Sequence, residues 1–204
     1  MSGDETKDKE IVVSIDFLPN LARLGQTEIV EDFLRKKFKN SLSSKIVRYG
    51  KLPYLILRLG PFSLLIREAR DLYVDEYYRA AVALCGMTVE SLCIAIAKER
   101  VKDESLRKQL IDPSKECRKK IESLKKYLRI AKSASLLHRV LDIRKEYLHL
   151  HKARVRPEEV LECINTLHLA VIAEYGLVPA EGGKVRFATK EDIEQLARKM
   201  GIRL

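Results

Sequence analysis

Residues 61–101 read PFSLLIREARDLYVDEYYRAAVALCGMTVESLCIAIAKERV. Leu65, Ala69, Leu72 and Tyr73 recur at helical spacing and give the first half one apolar stripe. The second half is apolar nearly all round, through Ala80, Ala81, Ala83, Leu84, Met87, Val89, Leu92, Ile94 and Ile96. A helix apolar on every side belongs at the centre of a bundle. The break between the two long helices falls near Val74-Asp75. Gly86 marks a close helix crossing, since a missing Cβ lets a neighbour approach. Cys85 and Cys93 read as small core residues in the same run.

The flanking segments extend the helical pattern. ASLLHRVLDIRKEYLHLH (134–151) and RPEEVLECINTLHLAVIAEYG (156–176) are two further bundle helices. Pro157 suits the first helical position and Gly176 a C-terminal stop. Ahead of residue 61 the character differs. EIVVSIDF (10–17) alternates like a strand, TEIVEDFLRKKFKN (27–40) is helical with Thr27 as its cap, and KIVRYGKLPYLILRLG (45–60) suggests a hairpin interrupted at Pro53. After Gly176 a short extended stretch precedes a helix capped by Thr189, with Asp192 three residues on. The expected organisation is therefore mainly α. A polar tail (1–9) precedes a small α/β appendage (10–60), a helical bundle (61–176) and a strand-helix extension (177–204).

Composition narrows the function classes. The chain has 204 residues, 46% hydrophobic and 33% charged, enough apolar material for a sizeable core. Aromatics are 6% and tryptophan is absent, which argues against a base-stacking sheet platform for single-stranded nucleic acid. The four cysteines form no CxxC pair and show no Cys/His ligand spacing, so neither a metal site nor another cofactor is expected. MSGDETKDKE is too polar for a secretory leader, and no apolar run of membrane-spanning length is read, so the expected location is the cytoplasm.

The formal net charge is +10, which favours a polyanionic partner, with nucleic acid ahead of a membrane. Most of that excess lies in residues 98–132, where thirteen Lys and Arg against six Asp and Glu leave +7. Within this block Arg118, Lys119, Lys120, Lys125, Lys126 and Arg129 are the candidate RNA contacts. Pro113 is expected to open a helix there, behind Asp112 as cap.

The stretch IRKEYLHLH (143–151) raises a different chemistry. Leu136, Val140, Ile143, Tyr147 and Leu150 form one apolar stripe, and Leu137, Leu141, Arg144, Leu148 and His151 form a second beside it. Arg144 and His151 thus continue apolar faces, where a charge is costly unless it meets a partner or an interface. His149 falls on the polar side near His138, about 140° from Arg144 on an ideal helix. His138 and His168 read as surface or satisfied core residues. Arginine can grip two phosphate oxygens, and histidine can move a proton near neutral pH.

On these residues the chain resembles the HEPN superfamily of small helical bundles. LLIREARDLYVDEYYRAAVALCGMTVESLCIAIA (64–97) resembles its opening helix pair, with Val89-Glu90 as the aliphatic-Glu pair. Arg144 with His149 or His151 matches its R-x4-6-H signature. Where toxin-type members carry R-x4-H-x-Y, His151 replaces the tyrosine, and Lys145 stands where Asn, Asp or His usually follows the arginine. The resemblance implies a metal-independent endoribonuclease of toxin or stress-response type, acting as a homodimer. Its catalytic residues would be Arg144, His149 and His151, with Glu90 in support. It implies RNA as partner, ribosomal or transfer RNA included, and an antitoxin or the ribosome as further partners. A non-catalytic RNA- or ribosome-binding factor and a dimeric nucleotide- or protein-binding module are the alternatives.

Overall fold

The structure is a computed structural model, and it describes residues 27–52, 61–148, 155–179 and 184–204. The strand expected at 10–17 lies outside the described residues, as do Pro53–Gly60 of the expected hairpin. The chain divides into two compact units, Met1–Val47 and Arg48–Leu204.

In the first unit the described residues belong to one helix, α1 (Thr27–Lys51), whose last turn lies beyond the boundary. The hairpin expected at 45–60 is corrected here, because residues 45–51 continue this helix instead. No proline falls within Thr27–Lys51, and Arg48 and Lys51 sit in the last turn, where cations meet the negative end of the helix dipole. Thr27 is itself helical rather than a cap. On the solvent face Lys36 pairs with Asp32 at 2.8 Å, one turn apart.

The second unit is a helical bundle. α2 (Pro61–Val74) and α3 (Tyr78–Arg100) are joined by a tight turn at Asp75–Tyr77. Glu76 takes a left-handed φ of 68°, with Tyr77 N–H donating to Leu72 O and Glu76 N–H to Tyr73 O. This paired-bond stop usually employs glycine. Here Arg48 holds the Glu76 carboxylate at 2.6 Å and donates from Nε to Val74 O.

α3 is the central helix, packed against α2, α4 (Glu104–Ile111), α5 (Cys117–Leu124), α6 (Ser133–Leu148) and α7 (Pro157–Tyr175). By length and composition it could also cross a membrane, contrary to the reading that no such run exists. Its buried residues, among them Val82, Val89, Leu92 and Ile96, face the surrounding helices, so its apolar surface is accounted for by core packing. Ala80 and Met87 are exposed, so the helix is not apolar-packed all round.

Pro113 does not open a helix. Asp112 accepts from the Ser114 N–H and hydroxyl, forming a turn, and α5 begins at Cys117. Pro157 does occupy the first turn of α7. Gly176 follows α7 in extended conformation, and a Cβ there would lie 2.4 Å from Ile172 Cγ2. β1 (Leu177–Pro179) and β2 (Val185–Phe187) then pair antiparallel, Val178 opposite Arg186. α8 (Lys190–Lys199) packs on α7, opened by a capping box between Thr189 and Asp192. A secondary core of Ile130, Ile172, Ala173, Ala188 and Ile193 seats this extension on the bundle.

Candidate functional site

The site is assembled where α6 crosses α3. α6 is held at its start by a buried carboxylate. Glu174, fully enclosed on α7, accepts from the Ser133 hydroxyl at 2.7 Å and from the Arg129 N–H at 3.0 Å, and it pairs with Arg100. The Arg100 guanidinium also donates to Glu174 O at 3.0 Å. A buried carboxylate is tolerated when its lone pairs are filled in this way. At the other end Arg79 on α3 donates to Tyr147 O at 3.3 Å, and midway Arg139 pairs with Glu162 on α7.

Between these anchors lies Arg144. Its side chain runs across Gly86 of α3, so closely that a Cβ on Gly86 would sit 2.1 Å from Arg144 Cδ and 2.6 Å from Nε. The close crossing expected at Gly86 is therefore made with an arginine side chain. Arg144 meets Glu90, one turn further along α3, at 3.8 Å. Arg144 Nε is enclosed without a hydrogen-bond partner, while the side chain as a whole remains 37% exposed. The guanidinium is thus held by packing and by a loose ion pair.

It opens into a cleft of about 370 Å³ shared by α3, α5 and α6. Arg118, Arg144 and Lys145 supply positive charge there, and Glu90 and Glu116 oppose it, leaving a formal +1. Cys117, Leu141 and Leu148 complete the lining. Arg118 is braced by Asp142. A small cleft with converging guanidinium groups and an apolar floor can hold a phosphate-sized anion.

The candidate residues fall into separate groups. Arg144 and Glu90 come together as expected, and Arg118 joins them from the basic block. His149 and His151 lie outside the described residues; Leu148 is the last described residue of α6. Lys119 and Lys125 are exposed and pair with Glu116 and Glu122 one turn away. Lys126 lies over the Tyr127 ring and Arg129 over the Phe187 ring, at 3.8 Å for the latter. Lys120 is corrected from a surface contact to a buried residue, 4% exposed. Arg100, counted in the charge excess, is spent on Glu174.

His138 lies elsewhere, its Nε2 2.7 Å from Glu122. His168 departs from the satisfied core residue expected. It is fully buried and neither ring nitrogen has a hydrogen-bond partner. Burial, with the Arg70 charge adding, pulls its pKa down to about 3. Local sequence spacing does not place Lys145 and Cys117 in the cleft lining or Gly86 beneath Arg144. Their contribution comes from helix crossings that no local spacing encodes, although Gly86 was marked by its position in an otherwise apolar helix.

No family model matches the chain, and no curated protein or solved structure matches it.

Proposed function

We propose that this chain is a HEPN-like RNA-binding protein that acts as a metal-independent endoribonuclease, of toxin or stress-response type. The observation that carries the reading is the Arg144 guanidinium, seated on Gly86 and facing a cationic cleft. A guanidinium that meets its carboxylate at 3.8 Å, not in a tight fork, keeps donors available for phosphate oxygens. Arg118 and Lys145 add charge at the same place.

In this reading Arg144 grips the non-bridging oxygens of the scissile phosphate and Glu90 orients it. His149, five residues along the chain, takes the 2′-OH proton or protonates the leaving 5′-oxygen. His151 fills the complementary proton-transfer role or positions the substrate. The 2′-oxygen attacks phosphorus as the bond to the 5′-oxygen breaks, giving a 2′,3′-cyclic phosphate and a 5′-hydroxyl. Histidine and arginine together supply the proton transfers and the cation this step needs. Two copies pairing so that both motifs meet one cleft would double the available groups. Ribosomal or transfer RNA is the substrate class, and an antitoxin or the ribosome is the partner that would restrain or recruit the activity.

A second reading, a non-catalytic RNA- or ribosome-binding factor, draws on the cleft lining itself. Three cations line it, and none of the described histidines does. The two readings part in one experiment: purified chain and its His149→Ala variant, each with labelled structured and single-stranded RNA in excess chelator. Cleavage by the wild type alone, leaving cyclic phosphate ends, supports the ribonuclease. Binding without cleavage by either protein leaves the binding factor.

A further inference from the structure

A second cleft, of about 260 Å³, lies where the C-terminal ends of α3 and α7 meet β2. Glu99, Arg100, Arg129, Glu174, Tyr175 and Phe187 line it, and none of them lines the Arg144 cleft. Glu99 stands on α3 beyond Glu90, about 14 Å further along the helix. The wall of this cleft is fixed. Arg100 and Glu174 are spent on each other. The Tyr175 ring packs 4.9 Å from the Phe62 ring, with the Arg100 guanidinium over it at 5.2 Å. The Arg129 backbone N–H is tied to Glu174 at 3.0 Å.

Three polar groups on this fixed wall are unspent. Tyr175 is 2% exposed, and its hydroxyl is enclosed without a hydrogen bond. Burial, with the Glu99 charge adding, pushes that phenol's pKa up, so it remains a donor. Glu99 is exposed and forms no ion pair among the described residues. Arg129 is also exposed, and among the described residues its guanidinium meets only the Phe187 ring, at 3.8 Å. Phe187 itself is 45% exposed, although it sits on a strand of the extension.

The cleft thus offers an acceptor, an enclosed donor and a flat guanidinium-aromatic platform. The unspent charges of Glu99 and Arg129 cancel, so it does not select a phosphate as the Arg144 cleft does. It suits an uncharged planar heterocycle. Among the four RNA bases only guanine presents two adjacent donors, N1–H and the N2 amino group, to one carboxylate, with the O6 acceptor next on the same edge. Stacking of one base on one such platform is sequence-tolerant, so the edge contacts set the choice.

We propose that this cleft binds a guanine base, stacked on Phe187 and Arg129, with Glu99 accepting from N1–H and the N2 amino group and the Tyr175 hydroxyl donating to O6. The base can come from single-stranded RNA or from a free nucleotide. The free-nucleotide form does not depend on the RNA-binding reading.

Two titrations of the folded chain test it. Chemical shifts are followed with 5′-GMP, 5′-IMP and 5′-AMP, and anisotropy with labelled oligouridine carrying one central guanosine or adenosine. Guanine should be preferred over adenine at least about tenfold, with hypoxanthine between them because it lacks the N2 amino group. Glu99→Gln should abolish that preference. Phe187→Ala should weaken every base at least about fivefold. Tyr175→Phe should keep its Tm, since the hydroxyl has no partner to lose, yet weaken guanine against adenine. A guanine preference in the oligonucleotide alone makes RNA the source, and one in 5′-GMP without RNA binding makes it a free nucleotide. The proposal is overturned if neither titration favours guanine, an outcome that leaves base-independent RNA binding intact. A guanine preference that survives in Glu99→Gln overturns it equally.

Discussion

Replacing Gly86 with alanine tests the seat of Arg144 without removing a charge. The new Cβ would fall 2.1 Å from Arg144 Cδ, 2.6 Å from Nε and 3.2 Å from Cζ, so the arginine must leave its position. Two effects on stability then oppose each other. Alanine in a helix interior gains about 1 kcal/mol over glycine. Displacing the arginine loses a partly exposed ion pair with Glu90, worth about 0–1 kcal/mol, and the packing of its stem. The net change should lie within about 1 kcal/mol, a Tm shift of roughly 2–4 °C for a unit of this size. RNA affinity and cleavage, in contrast, should fall to the level of Arg144→Ala. A double-mutant cycle sharpens the expectation. With Arg144 already truncated, Gly86→Ala should return the full helix gain, because the three atoms nearest the new Cβ all belonged to Arg144. Chemical denaturation and RNA titration on the four proteins give both readouts. The reasoning fails if Gly86→Ala keeps full RNA activity, or if its stability effect is the same with and without Arg144.

Other consequences are local and separable. Glu174→Gln leaves Arg100 without its buried counter-charge and should destabilise the chain by about 3–5 kcal/mol, read as a lowered urea midpoint. His168 stays neutral in the folded chain down to about pH 3, while an unfolded histidine takes its proton near 6.5. The unfolded state therefore binds more protons between those values, and stability should fall as pH drops through that window by about 1.4 kcal/mol per unit. His168→Leu should flatten that slope in denaturation midpoints measured between pH 6.5 and 4.5; an unchanged slope would assign the acid lability to other groups. Thr189→Ala removes half of a capping box and should cost about 1 kcal/mol, seen first as faster amide exchange in α8.

Much of the bundle was legible because its signals are periodic. The helices over 61–100, 134–148 and 157–175 follow apolar spacing that local sequence carries, and Pro157 and Thr189 mark starts by their backbone chemistry. Errors arose where tertiary contacts or charge pairing dominate. Residues 45–51 have strand-like composition in Ile46, Val47 and Tyr49, yet they extend a helix whose end is anchored through Arg48. The basic block counted charges without their partners. Lys120 shares the buried face of α5 with Cys117, Ile121 and Leu124, a placement that helical spacing within the block already implied. Arg144 stands out in the sequence as a charge on an apolar stripe, and the structure sets it beside Glu90 of the adjoining helix. The cleft was not legible, because Arg118, Cys117 and Gly86 reach it from helices whose crossing no spacing specifies.

The most direct test of the central claim asks which cations hold the RNA. A labelled single-stranded RNA would be titrated at about 150 mM salt. The proteins would be the wild type, Arg144→Ala, and a triple variant with Lys119, Lys125 and Lys126 replaced by alanine. Losing a charge-assisted phosphate contact of about 1.4 kcal/mol or more should weaken Arg144→Ala at least tenfold. The triple variant should bind within about threefold of wild type, since Lys119 and Lys125 are already paired at the surface. Full binding by Arg144→Ala with loss in the lysine variant would contradict the account and move the RNA contact to the exposed surface of the basic block.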